Sequence, residues 1–156
     1  MRKTQVERME NALVARLKAR LPGAVALIDL FPDQFDRFEM PQHGAAVFVS
    51  YAGSSFAPKG DSPREAYAPR EDMKFHIVLL VRNLRSASDS AAYDLLSEIR
   101  RALHGHSFVG ATPLIPGRTW LDAQAEGVWR WAVEFTASVP CIAEPPQRFS
   151  ETGDLA

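Results

Sequence analysis

Cysteine is almost missing from this chain: one, Cys141, in 156 residues. No internal disulfide can brace the fold, and a reducing compartment is the default expectation. No run approaches the roughly 18 consecutive apolar residues of a membrane span. The opening MRKTQVERMENALVARLKARL is charged throughout, without the apolar stretch of a signal peptide. Both absences point to a soluble protein made inside the cell, with no membrane partner. Neither sign of charge is in excess, since 18 Lys and Arg against 19 Asp and Glu leave −1. That removes the overall electrostatic case for gripping nucleic acid or an anionic surface. The glycine fingerprints that cradle phosphates are absent, as is a GxSxG elbow.

What is present is an ordinary globular composition, 46% apolar and 24% charged, in a chain long enough to bury a core. From Thr4 to Leu21 the residues Val6, Met9, Leu13 and Leu17 recur at three- and four-residue spacing, which predicts an amphipathic helix. Thr4 and Glu7 fit a capping box and Pro22-Gly23 stops it. Its outer face is basic, and a solvated face is the simplest reading of those cations. AVALIDL (24–30) predicts a short peripheral strand, followed by an acidic, aromatic-bearing loop, FPDQFDRFEMPQ.

The segment from Gly44 to Leu84 is the most distinctive. Two strands, GAAVFVSYAG and DMKFHIVLLVRNL, flank a polar, proline-marked stretch, SSFAPKGDSPREAYAPRE (54–71). A loop longer than about 12–15 residues in a compact domain is expected to be functional or disordered. Pro58, Pro63 and Pro69 stiffen this one, and Phe56 and Tyr67 give it apolar surface to bury. The second of these strands is apolar on both faces, as a central strand must be. A second helix is expected from Ser88 or Asp89 to Leu103. A hairpin follows, RTWLDAQ then GVWRWAVEFTASV, with Trp129, Trp131, Val133, Phe135 and Ala137 on one face.

The expected fold is therefore α+β: a mainly antiparallel sheet of about five strands, two amphipathic helices on one face, and a long arm-like loop between two central strands. Residues 1–142 form the single domain and 143–156 an extended or disordered tail. Val78 and Leu80, on the face away from the helices, need a cover, which either the long loop or a second subunit would supply.

No constellation of catalytic residues emerges. His104 and His106 follow a helix end without a third ligand nearby. The carboxylates Asp29, Asp33, Asp36 and Glu39 lack the glycine and terminal glutamate of a Ca²⁺ loop. Cys141 has no helix N-terminus to activate it. Glu134 and Asp122, beside Arg130 and Arg118, read as a surface charge network across the hairpin. The expectation is a protein that is not an enzyme and holds no cofactor or metal.

The helix ENALVARLKARLPG, the strand GAAVFVSYAGSSF, the strand MKFHIVLLVRNLR, the helix AYDLLSEIRRAL and the hairpin GVWRWAVEFTA together resemble the Mu-like phage tail proteins. That family was long filed as a domain of unknown function and is regarded as tail terminator or tail completion proteins. The resemblance covers Glu7 to Ala137 and leaves the segment after Pro140 unmatched. It implies a structural virion protein of the tail or neck, assembled in the bacterial host cytoplasm. Such a protein forms a ring, implied to be a homohexamer, that caps the tail tube, ends its polymerisation and offers the head-joining surface. Implied partners are further copies of itself, the tail tube protein, a neck or head-completion protein and, as a further candidate, the sheath protein, with DNA only passing through the lumen. The family carries no catalytic residues to transfer. A ring needs two different patches on each subunit, and the long loop supplies candidates for a subunit or tube interface: Phe56, Lys59, Arg64, Tyr67 and Arg70. The competing readings are another head–tail joining or tail-assembly protein, and a small enzyme or ligand-binding domain with residues 54–71 as a lid.

Overall fold

The structure is a computed structural model that describes residues 2–23, 25–57, 69–85, 91–108 and 110–141. Its elements run α1 (Gln5–Arg20), β1 (Val25–Leu30), β2 (Ala45–Ala57), β3 (Arg70–Val81), α2 (Ala92–Leu103), β4 (Ile115–Ala125) and β5 (Val128–Pro140). The five strands form one sheet in the order β1-β2-β3-β5-β4, with both helices on one face. This is the α+β architecture the sequence predicts.

Local chemistry sets the boundaries. At the start of α1 the Thr4 hydroxyl accepts the Glu7 N–H at 3.1 Å, and the Glu7 carboxylate accepts the Thr4 N–H at 3.4 Å. This is the expected reciprocal box, which satisfies two otherwise orphaned donors. Met9, Leu13, Val14 and Leu17 then enter the core. The helix α2 starts at Ala92, later than the predicted Ser88 or Asp89, which lie outside the described residues. Between β4 and β5 the turn residues Glu126 and Gly127 have φ of 53° and 77°, the two positive values that a two-residue type I′ hairpin requires.

The helix-covered face of the sheet carries the main core. Val47, Val49, Phe75, Ile77, Leu79, Val133, Phe135 and Ala137 meet Leu13, Leu17, Leu95, Ile99 and Leu103 across it. Trp129 and Trp131 lie on this side, as the alternation predicts, but are half-buried at its margin.

Three findings go beyond the sequence reading or depart from it. The first is that β1 pairs parallel with β2, Val25 against Ala45 through Leu30 against Val49, while the remaining three pairings are antiparallel. Parallel neighbours need a crossover of a dozen or more residues, and here residues 31–44 provide it with a single 3₁₀ turn, Phe35–Arg37.

The second departure follows from the first. That crossover covers Val78 and Leu80, a role the sequence reading gave to the long loop or a second subunit. Phe31, Phe35, Phe38 and Met40 pack on Ala46, Phe48, Val78 and Leu80 as a second, smaller core. The rings form a ladder: Phe31 stacks on Phe35 at 4.9 Å and Phe35 on Phe38 at 5.8 Å. The Phe48 ring meets Phe31 and Phe38 edge-on at 5.9 and 5.0 Å. The Phe31 N–H donates to the Val49 carbonyl at 2.8 Å and pins the crossover where it leaves the sheet.

The third departure concerns the long loop. Strand pairing continues past Gly53 and begins before Asp72: Ser54, Ser55, Phe56 and Ala57 pair with Met73, Asp72, Glu71 and Arg70. Serines are poor strand formers, yet the Ser54 hydroxyl is satisfied here. Ser54 Oγ donates to Glu71 at 2.6 Å and also meets the Tyr51 hydroxyl. A bulge between Tyr51 and Gly53 absorbs the irregularity, with Gly53 at φ 120°, a value that needs glycine. The connection therefore shrinks to residues 58–69, of which 58–68 lie outside the described residues, as does the tail from 142.

Candidate functional site

Both apolar faces of the sheet are covered within the chain, so what remains for function is the outer surface. Among the described residues no polar or charged side chain is fully buried. Among these residues, too, no group of three or more His, Cys, Asp or Glu is placed to hold a metal ion, and no helix is long and apolar enough to cross a membrane.

The candidate interface residues of the long loop divide. Phe56 sits near the end of β2, opposite Glu71, with 58% of its surface exposed. Arg70 opens β3, half-buried, and its guanidinium donates to the Ser138 carbonyl at 3.1 Å. Lys59, Arg64 and Tyr67 lie outside the described residues. Beside Arg70, the Ser138 hydroxyl bonds Asp72 and the Cys141 N–H donates to the Pro69 carbonyl at 3.0 Å. Side chains of β3 and β5 thus fix the base of the arm, while Phe56 projects from it.

The charge network foreseen across the hairpin exists, with two members the sequence reading did not include. Arg130 pairs with Asp122 at 2.6 Å, and Glu134 pairs instead with His76 at 3.4 Å. The His76 ring stands edge-on to Trp120 at 5.0 Å, and the Arg118 guanidinium lies 4.3 Å above the same indole. His76 pairs with Glu134 across β3 and β5, and Trp120 is opposite Ala132 on β4, so the cross-strand register assembles the group. A period-two reading of the three strands, with the register in hand, would have found it. Its shallow cleft, about 180 Å³, is bounded by Phe31, Ser50 and His76 with the Arg130–Asp122 pair.

A larger cleft of about 410 Å³ opens between the crossover and the β4–β5 hairpin. Phe35, Phe38, Met40, Leu80 and Val128 form its walls, and Arg82 and Arg130 its rim. Arg82 donates to the Pro41 carbonyl at 2.6 Å, and Arg130 lies 5.2 Å from the Phe35 ring centre. This cleft lies at the end of β3 and the start of β5, the opposite end of the sheet from the arm. Neither it, nor the shallow cleft, nor a third beside α1 takes a described lining residue from 54–71.

Two titrations are displaced. Burial raises the Glu10 carboxyl above its ordinary value and Glu7 raises it further. The hydrogen bond it accepts from the Tyr51 N–H at 3.3 Å lowers it in part. His106 is lowered, first by burial and then by Arg16 and Arg20, and its ring meets Phe108 edge-on at 4.8 Å. This histidine packs beside the helices.

The Glu10 shift has a consequence for stability. A carboxyl raised on folding contributes stability that is fully present below its unfolded value of about 4.5 and is lost as pH rises through the folded value. Glu10→Gln keeps an acceptor for Tyr51 and has no charge to desolvate. Its unfolding free energy relative to wild type should therefore rise between pH 4 and 7, as read by urea denaturation at stepped pH. A flat difference would mean that Glu10 titrates as it does in the unfolded chain.

Comparison with known proteins adds three findings. No curated protein matches the sequence. Among solved structures, a chain of the virion of a native gene transfer agent particle is similar, at 17% identity over 86% of this chain and 88% of that one, with a TM-score of 0.47. The family model described as Gp37 protein matches residues 13–152, a span that continues past Pro140, where the resemblance read from the sequence stops. Through that match, which takes in the second half of α1, all of α2, all five strands and the crossover, the chain belongs to the Gp37 protein family.

Proposed function

We propose that this chain is a structural component of a phage or phage-derived particle, and within it the tail terminator. It forms a ring, a hexamer by the family resemblance, that caps the tail tube, ends its growth and presents the surface to which the head joins. The observation that carries the reading is the match of residues 13–152 to the Gp37 family, a family of phage proteins. All but the first residues, up to Ala12, of the sequence blocks resembling tail terminators fall within that span. The role is mechanical, not enzymatic: copies of the chain, the tube protein and a neck protein are its partners, and DNA passes through the lumen.

The architecture supports such a role in a physical way. Each sheet face is closed by the chain's own helices or crossover, so the monomer needs no partner to complete its core and can fold before it assembles. Contacts are then left to outer features, and among the described residues Phe56, at the base of the arm, is the most exposed aromatic. In a ring those contacts join two different patches, repeated around the axis.

Polymerisation of the tube protein in the presence and absence of this chain tests the reading. Tubes capped at controlled length by a ring at one end are expected; tubes that grow as freely with it as without it would refute the terminator role. The arm has its own test. Replacing residues 58–69 with Asn-Gly supplies a two-residue turn between the paired Ala57 and Arg70. This variant should keep the wild-type unfolding midpoint within about 2 °C, because every residue of the described core is retained, and should lose capping. Unchanged capping would exclude the arm from the interface.

A further inference from the structure

The net charge of −1 conceals a separation of charge across the thickness of the molecule. Residues 2–20, α1 and its leader, carry six cations against two carboxylates. On the other side of the sheet, residues 29–39 at the start of the crossover carry four carboxylates against one arginine. The charged groups point outward: Arg8 and Lys18 on α1, and Asp33, Asp36 and Glu39 on the crossover, are all exposed. Among the described residues neither set is neutralised within the subunit. The ion pairs among the described residues are His76–Glu134, Glu98–Arg101 and Asp122–Arg130, and none draws on either patch. Arg16 alone of the α1 cations is turned inward, donating to the Ala102 carbonyl at 2.9 Å.

We propose that these two patches are the halves of one subunit–subunit contact, with the basic face of α1 lying on the acidic crossover of the next copy. This rests on the ring reading above and names the surfaces that build it. Three points select a second copy as the occupant. The patches lie on opposite sides of the sheet, so one molecule cannot pair them itself. For the same reason a two-fold dimer cannot satisfy both at once, whereas a head-to-tail arrangement satisfies one of each per subunit and closes into a ring when the rotation allows. The patches are also similar in size and opposite in sign, so a copy neutralises both surfaces, while an anionic polymer would neutralise only α1 and leave the crossover exposed. Complementary potentials of this kind set partner choice and register more than raw affinity.

Charge reversal with rescue provides the test, followed by sedimentation velocity of the full chain alone and with polymerised tube protein. One variant carries Arg8→Glu and Lys18→Glu, and the other Asp33→Lys and Asp36→Lys. All four sites are exposed, and circular dichroism checks that each variant is folded. Wild type should assemble, and its association should weaken at least about tenfold from 0.1 M to 1 M salt as the Debye length contracts from about 10 Å to about 3 Å. Each variant alone should stay monomeric, an equimolar mixture should assemble with alternating subunits, and the chain carrying all four changes should assemble by itself. If either variant assembles as wild type does, or the mixture fails to recover, the proposed contact is wrong while the ring reading stands. If wild type itself forms no assembly with or without tubes, the ring reading fails and the contact falls with it. Retention of duplex DNA by wild type at 0.15 M salt, lost on reversing Arg8 and Lys18 with assembly unaffected, would reassign the basic face to nucleic acid.

Discussion

Truncating Phe75 to alanine should lower the unfolding free energy by about 3–5 kcal/mol, as buried aromatic truncations do. Phe75 lies on the central strand β3, fully buried, facing the helices. It pairs with Tyr51 on one side and Phe135 on the other, and its ring is 5.7 Å from that of Tyr51. Neighbours on three strands and the helix layer cannot all move inward, so much of the vacated volume stays open. Domains of this kind are stable by only about 5–15 kcal/mol, so the loss is a large share of the total. It should appear as a midpoint about 6–20 °C lower. A change under about 1 kcal/mol would mean that the two layers are not packed as described.

Phe48→Ala should have a comparable cost, about 3–5 kcal/mol, from the opposite side of the sheet. Phe48 is 2% exposed and is the ring on which the Phe31 and Phe38 edges meet. Its loss removes both the buried area and the edge-to-face pairs, worth about 0.5–1.5 kcal/mol each beyond area. The crossover has no helix or strand of its own to hold it, so this variant should also increase hydrogen exchange of the Phe31 amide, which donates to Val49. The effect should be independent of protein concentration, because the cover belongs to the same chain. A cost that appears only when subunits are associated would restore the alternative, in which a second copy covers Val78 and Leu80.

These two residues also mark what the sequence could and could not convey. The alternation of Phe75, Ile77 and Leu79 against Val78 and Leu80 identified β3 as central and covered on both sides, since only a strand buried on both faces tolerates that pattern. What supplied the second cover was not visible. FPDQFDRFEMPQ attracts attention through its carboxylates, whereas its aromatics, at 31, 35 and 38, are spaced three and four apart and all turn inward. A crossover with only one 3₁₀ turn has no periodicity strong enough to reveal this.

The arm was mismeasured for a related reason. Ser54 and Ser55 read as loop because their intrinsic strand preference is low, and only the bonds from Ser54 to Tyr51 and Glu71 show why pairing continues. The same held for the charged cluster on the hairpin. Asp122, Arg130 and Glu134 were visible as charges, but which pairs with which depends on the register of β3 against β5, and that brought His76 in.

The central claim is that the subunits form a closed ring at the end of a tail tube. Mass measurement of the complex eluted from purified, polymerised tube protein addresses it most directly. The account predicts a single species of about six copies bound per tube end, its mass unchanged as free protein is raised further. A chain that remains monomeric and leaves tubes unbound across that titration would contradict it.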